Sequence, residues 1–151
     1  LLCLQDLHSM INLILALQLM IAGVGSNVDA DPLHFGLETD KTAYRLAEKI
    51  NIKLKIKNTG SLPVNLTFPT SQKYEIVIMK DGKEIWRWSH DRAFAMAFTS
   101  LSLKNGEVMS FNETWDQKDN NGNLQGKGRY QIKGILKSSP EKVYSEIIQI
   151  R

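Results

Sequence analysis

Ile50, Ile52, Leu54 and Ile56 alternate with Asn51, Lys53, Lys55 and Lys57. Successive side chains of a strand point to opposite faces, so this run builds one dry face and one wet face. As a helix it would scatter the same aliphatics around its circumference and leave no apolar stripe. The stretch therefore predicts a half-buried strand, and strands with a solvated face belong to antiparallel sheets. Similar runs recur with turn residues every eight to twelve positions or so, the spacing of a sandwich or barrel. The expected strands are Leu33–Glu38, Ile50–Lys57, Val64–Phe68, Tyr74–Met79, Lys83–Ser89, Thr99–Leu103, Glu107–Trp115, Arg129–Leu136 and Val143–Ile150. No convincing helix falls after residue 30.

The chain has 151 residues, enough for one domain that buries its core without a metal or disulfide. Its one cysteine, Cys3, forms no intramolecular bridge, and no Cys-based metal site is possible. Residues 1–30 differ from the rest. They hold no Lys or Arg, and Ile11, Leu13, Ile14, Leu15, Leu17, Leu19, Met20 and Ile21 form an apolar run. Its length suits a signal-peptide core, although a basic start is missing, and a buried amphipathic helix is the competing reading. Small residues at Gly23-Val24-Gly25 and Val28-Asp29-Ala30 offer cleavage sites. The division expected is thus a signal-like leader over 1–30 and a β-domain over 31–151, extracytoplasmic or secreted, with a cytoplasmic location as the alternative.

Two turns can be placed in register. Around Asp81-Gly82 a two-residue loop would set Ile76 opposite Arg87 and Glu75 opposite Trp88, which wastes both pairs. A three-residue loop, Lys80-Asp81-Gly82 with Gly82 left-handed, instead pairs Tyr74 with Trp88, Ile76 with Trp86, Glu75 with Arg87 and Val77 with Ile85. The motif Lys104-Asn105-Gly106 would similarly pair Leu101 with Met109 and Thr99 with Phe111, unless the chain crosses between sheets there. If every strand reverses the last, loops 39–49, 69–73, 90–98 and 116–128 share one end. The tight turns 58–62, 80–82, 104–106 and 137–142 share the other. Recognition tends to sit on long loops held by a rigid scaffold, so the first end is the expected binding surface.

Catalytic chemistry finds little footing. His8, His34 and His90 have no metal-ligand spacing, and Ser89 lacks both a nucleophile elbow and an evident base. The 116–123 segment resembles a calcium loop but lacks the closing Glu, and its Asp and Asn residues suit turns without an ion. Trp86 and Trp88 share a strand face with Tyr74 and Ile76, as core residues or, alternatively, as a carbohydrate platform. Trp115 ends its strand and is expected to plug the sandwich end. The 19 Lys and Arg residues lie singly along strands rather than in a patch, which argues against nucleic-acid binding. No enzyme, metal or cofactor is expected.

Several segments together resemble the intracellular proteinase inhibitor family of the BsuPI type. They are Ser71-Gln72-Lys73-Tyr74, Asp81-Gly82-Lys83-Glu84, Trp86-Arg87-Trp88-Ser89, Phe94 and Leu103-Lys104-Asn105-Gly106-Glu107. Glu113-Thr114-Trp115-Asp116, Asp119-Asn120-Asn121-Gly122 and Gly128-Arg129-Tyr130 follow in order. The likeness spans roughly 37–135, and it departs at Leu46-Ala47, where such domains often carry Pro-Gly. It implies an all-β, immunoglobulin-like antiparallel β-sandwich of about seven to nine strands, and inhibition of a serine proteinase by stoichiometric binding. A non-inhibitory extracytoplasmic binding or scaffold module is the other reading. The candidate partner-binding residues are His90, Asp91, Arg92, Phe94, Met96, Asp116, Asp119 and Asn121. Tyr74, Gly82, Trp86, Trp88 and Trp115 are the expected structural motif.

Overall fold

The computed structural model describes residues 31–151; the expected leader, Cys3 and His8 lie outside the described residues. Ten strands follow in order: β1 Leu33–Thr39, β2 Ala43–Tyr44, β3 Ile50–Asn58, β4 Val64–Phe68, β5 Tyr74–Lys80, β6 Lys83–Arg87, β7 Thr99–Leu103, β8 Val108–Trp115, β9 Gly128–Leu136 and β10 Lys142–Ile150. All nine expected strands are present within one or two residues of their expected ends. The tenth, β2, is a two-residue strand running parallel to the end of β10, too short to show as alternation.

One sheet has the order β1-β3-β8, and the facing sheet has the order β2-β10-β9-β5-β6. Between them lies an aliphatic and aromatic core. The alternating run supplies Ile50, Ile52, Leu54 and Ile56, each buried, while Lys53, Lys55 and Lys57 face outward. From the opposite sheet come Ile76 and Ile78 of β5, Tyr130, Ile132 and Leu136 of β9, and Ile148 and Ile150 of β10. The sheets approach each other closely at Gly134. A Cβ there would sit 2.4 Å from Leu54 Cδ2 and 3.1 Å from Leu37 Cδ1, so glycine is what lets those two leucines seat against β9. The architecture is the expected immunoglobulin-like sandwich.

The β5–β6 hairpin corrects the expected loop. Its turn has two residues, with Lys80 opposite Lys83, and both Asp81 (φ 49°) and Gly82 (φ 77°) are left-handed, the type I′ geometry. A bulge at Ile85 then shifts the register, so that Ile78 faces Trp86 and Val77 faces Arg87. Trp88 continues the ladder, donating its N–H to the Ile76 carbonyl at 2.9 Å. The expected partners are each displaced by two positions. Every side chain nonetheless keeps the expected face, because the bulge reverses the parity that a two-residue turn alone would impose.

Strict up-and-down succession fails at β4. Asn58, buried at the end of β3, donates from Nδ2 to the carbonyls of Leu62 (2.8 Å) and Leu103 (2.9 Å). It thereby fastens β4 and β7 into a separate two-stranded sheet. Consequently β7 pairs with β4 and β8 with β3, so the Leu101–Met109 and Thr99–Phe111 pairs do not form. The 69–73 loop lies beside the 137–142 turn, with Lys137 N donating to Lys73 O (2.9 Å) and Ser139 N to Thr67 O (2.8 Å). The 80–82 turn lies beside the 116–128 loop, where Lys80 Nζ reaches Lys127 O at 3.1 Å. Both placements reverse the expected division of the loops between the two ends.

Gln117 pins the 45–48 turn. Its amide accepts from Ala47 N (2.9 Å) and donates to the carbonyls of Arg45 and Glu48 (both 2.8 Å). Ala47 has φ 62°, a left-handed conformation that glycine adopts readily.

Candidate functional site

The sequence Trp86-Arg87-Trp88-Ser89 alternates faces at the free edge of the five-stranded sheet. Both indoles turn inward. The Trp88 ring lies 4.4 Å from that of Tyr74, which stacks at the same distance on Phe111 of β8. Trp86 and Trp88 are half-buried and pack against the core, which is the packing role rather than an open platform. Tyr74 donates its hydroxyl to Glu113, and burial together with this bond raises the phenol's pKa.

On the outer face Arg87 and Ser89 converge on Glu75, whose side chain is only 4% exposed. The Glu75 carboxylate accepts from Arg87 Nη1 (3.3 Å), Gln72 Nε2 (3.2 Å) and Ser89 N (3.1 Å), and also from the Ser89 hydroxyl. Arg87 is shared with Glu84, held at 2.6 Å, and this guanidinium keeps the Glu84 pKa low. The network fixes the point at which the chain leaves the sheet. Two successive turns follow, His90 N to Arg87 O (3.2 Å) and Arg92 N to Ser89 O (3.0 Å).

Arg92 folds back over the strand it has just left. Its Nε donates to Trp88 O at 3.1 Å, and its guanidinium carbon sits 4.1 Å from the centre of the Trp88 ring. Beneath it the Trp88 indole N–H is buried and meets no acceptor among the described residues. Phe94 is half-buried, its ring 5.9 Å from that of Trp88. The next residue, Ala95, is tied to Ser71 in both directions: Ala95 N donates to Ser71 Oγ (2.9 Å), and Ser71 N donates to Ala95 O (3.0 Å). Ala97 N closes a three-residue turn on Ala95 O at 2.9 Å. Met96 at its apex is 89% exposed, and Phe98 is 81% exposed.

The 116–128 loop reaches this edge through one residue. Asn120 accepts from Arg87 N at 2.9 Å and donates to Arg87 O at 3.0 Å, imitating a neighbouring strand on the open edge of β6. Of the expected site residues, His90, Asp91 and Arg92 line a shallow cleft with Trp86, Trp88 and Asn120. Phe94 adjoins it through Trp88, and Met96 projects from the same loop. Asp116 and Asn121 are exposed and do not line that cleft. The Asp119 carboxylate is occupied by its own loop, accepting from Asn121 N and Asn123 N (both 2.9 Å) and Asn123 Nδ2 (3.1 Å), which lowers its pKa. Asn120 and Glu75 are the residues that sequence reasoning missed. Glu75 is expected opposite Arg87, but not as a buried hub that also takes Ser89 and Gln72. Trp115 is fully buried against Tyr130, rings 5.5 Å apart, and its indole donates to Lys118 O at 2.7 Å, closing the sandwich beside this loop.

The fold recurs in larger proteins. Spo0M, a sporulation control protein from Bacillus subtilis, aligns with a TM-score of 0.50 and 16% identity over 81% of this chain and 50% of its own. The β-glucosidase EmGH1 from Erythrobacter marinus gives 0.48 and 15%, over 79% of this chain and 15% of its own. The alkylpurine DNA glycosylase AlkC from Pseudomonas fluorescens gives 0.46 and 15%, over 82% and 31% respectively. The chain thus spans half or less of the length of these proteins, and at such identities the likeness is one of fold alone. No curated protein matches the chain. The family model for BsuPI, intracellular proteinase inhibitor, matches residues 37–141. That description overturns the expected extracytoplasmic or secreted location and points to the cytoplasm instead. With more than half its length matched, this chain belongs to the BsuPI family of intracellular proteinase inhibitors.

Proposed function

We propose that this chain inhibits a serine-type proteinase by forming a stoichiometric complex through its 90–98 loop, with no chemistry of its own. The observation that carries the reading is the bracing of this loop. It leaves the sheet from the Glu75 network, lies on the Trp88–Arg92 stack, is tied at Ala95 to Ser71, and still leaves Met96 and Phe98 in solvent. A segment held in place before binding loses little conformational entropy on docking, which is what a tight inhibitor needs. Arg92, stacked on an indole at the rim of the cleft, has the make-up of an interface hot spot. His90, Asp91 and Asn120 would form the polar rim around it.

The test compares the full-length chain with the Arg92→Ala/Met96→Ala double variant in progress curves of a serine proteinase that the parent chain inhibits. Inhibition should weaken by about three orders of magnitude, given two hot-spot truncations of about 30-fold each. The unfolding midpoint should fall only slightly, because Met96 is exposed and Arg92, itself at the surface, gives up one ring contact and one hydrogen bond to Trp88. Asp81→Lys, at the β5–β6 turn, should inhibit like the parent. If Asp81→Lys abolishes inhibition and the double variant does not, the working surface lies elsewhere.

A further inference from the structure

Of the large side chains in the 90–98 loop, Met96 is the one best placed to enter a pocket of a partner. Arg92 is engaged with the Trp88 ring and carbonyl. Phe94 is half-buried beside Trp88. Phe98 is 81% exposed as well, but it immediately precedes Thr99, the first residue of β7, and does not stand at the apex of a turn. Met96 differs from all three. It stands at the apex of a three-residue turn, 89% exposed, with Ala95 and Ala97 on either side. Alanine flanks keep the profile of the loop narrow, so an enclosing surface can close around the methionine from both sides. The Ser71 bonds to Ala95 fix where the apex points. An unbranched thioether of this kind fills an apolar socket without demanding one exact shape.

We infer that Met96 is the anchor that enters the primary specificity pocket of the target, and therefore that the target is a proteinase whose pocket is deep and apolar. A proteinase with a carboxylate at the pocket floor would leave that charge desolvated and unpaired against a thioether, and is disfavoured. The inference rests on the inhibitory reading above, and it adds the class of enzyme inhibited and the residue that selects it.

The experiment measures inhibition constants of the full chain, Met96→Ala, Met96→Lys and Phe98→Ala. Two serine proteinases are used, one cleaving after large apolar residues and one cleaving after Lys or Arg. The expected pattern has three parts. Against the apolar-pocket enzyme the parent is the better inhibitor, and Met96→Ala loses about 30-fold or more, the threshold of a hot spot. Against the basic-specific enzyme Met96→Lys gains at least about tenfold over the parent, because the new ammonium meets the buried carboxylate. Phe98→Ala stays within about threefold of the parent on both. All four proteins should share one unfolding midpoint, since neither substituted side chain is buried. If the parent inhibits and Met96→Ala stays within about threefold, or Phe98→Ala takes the larger loss, the anchor assignment is overturned while the inhibitory reading stands. If Met96→Lys brings no gain on the basic-specific enzyme, the pocket assignment is likewise overturned. A parent chain that inhibits neither enzyme overturns both.

Discussion

Gly134→Ala tests a close contact between the two sheets. The added methyl would lie 2.4 Å from Leu54 Cδ2 and 3.1 Å from Leu37 Cδ1, where carbon atoms normally rest roughly 3.5–4.0 Å apart. Leu54 would have to retreat by more than about 1 Å, yet it is completely buried among other core side chains and has no open space to enter. Overpacking of this kind costs about 1–3 kcal/mol. Against it stands a gain of about 0.5–1 kcal/mol from removing a glycine within a strand. The net expectation is a loss of about 1–2 kcal/mol, or roughly 3–10 °C in Tm for a domain of this size. Denaturant unfolding followed by tryptophan fluorescence measures it. The sharper form is a double-mutant cycle. Leu54→Ala alone should cost about 2–5 kcal/mol. In that background the Gly134→Ala methyl occupies vacated space, so its cost should vanish or reverse, a coupling of about 1–3 kcal/mol. Additive losses would show that the two residues do not meet and that the facing of the sheets is wrong.

Three further perturbations address the site and its supports. Glu75→Ala removes the acceptor for Ser89, Gln72 and one arm of Arg87; a loss of about 2–4 kcal/mol is expected, and amide exchange in the 89–95 segment should quicken. Unchanged exchange there would detach the network from the loop. Asn120→Ala uncovers the β6 edge at Arg87 and should cost about 1–2 kcal/mol while promoting concentration-dependent association, measured by light scattering. Tyr44 is held neutral in the fold, its pKa pushed from 10.0 up to about 12 by burial and by its hydrogen bond to Asp40. A raised folded pKa contributes stability that is complete below pH 10 and is lost as the pH rises towards about 12. Tyr44→Phe should therefore flatten the stability profile across that window, and a profile that keeps its slope would contradict the assignment.

The strands were legible because alternation is a local property: each run states which side chains are wet without reference to its partner. Connections between strands are not local. The 104–106 turn carries the same Asn-Gly signature whether its flanking strands pair or cross between sheets; the crossing rests on the distant β4–β7 ladder and on Asn58, 46 residues upstream of Lys104, whose carboxamide bonds both Leu62 and Leu103. In the β5–β6 hairpin the face of every residue could be read, since only one parity buries Tyr74, Ile76, Trp86 and Trp88 together. A three-residue loop and a two-residue turn with a bulge give the same parity, however, and the sequence does not separate them. Likewise the Asp119-Asn120-Asn121 segment reads as a turn whichever residue faces the sheet. In the fold Asn120 is the edge contact, while Asp119 is taken up by Asn121 and Asn123. The one usable sign of Glu75 was a carboxylate inside an otherwise apolar strand, opposite a run holding Arg and Ser.

Formation of a stoichiometric complex is tested most directly with an active-site-titrated serine proteinase of apolar specificity. Increasing amounts of the full-length chain are added to a fixed amount of enzyme, and residual activity on a small chromogenic substrate is recorded. Residual activity should fall linearly and reach its floor at one equivalent, with the chain recovered intact. Activity that persists at a large excess of the chain, or cleavage of the 90–98 loop at the rate of an ordinary substrate, would contradict the account.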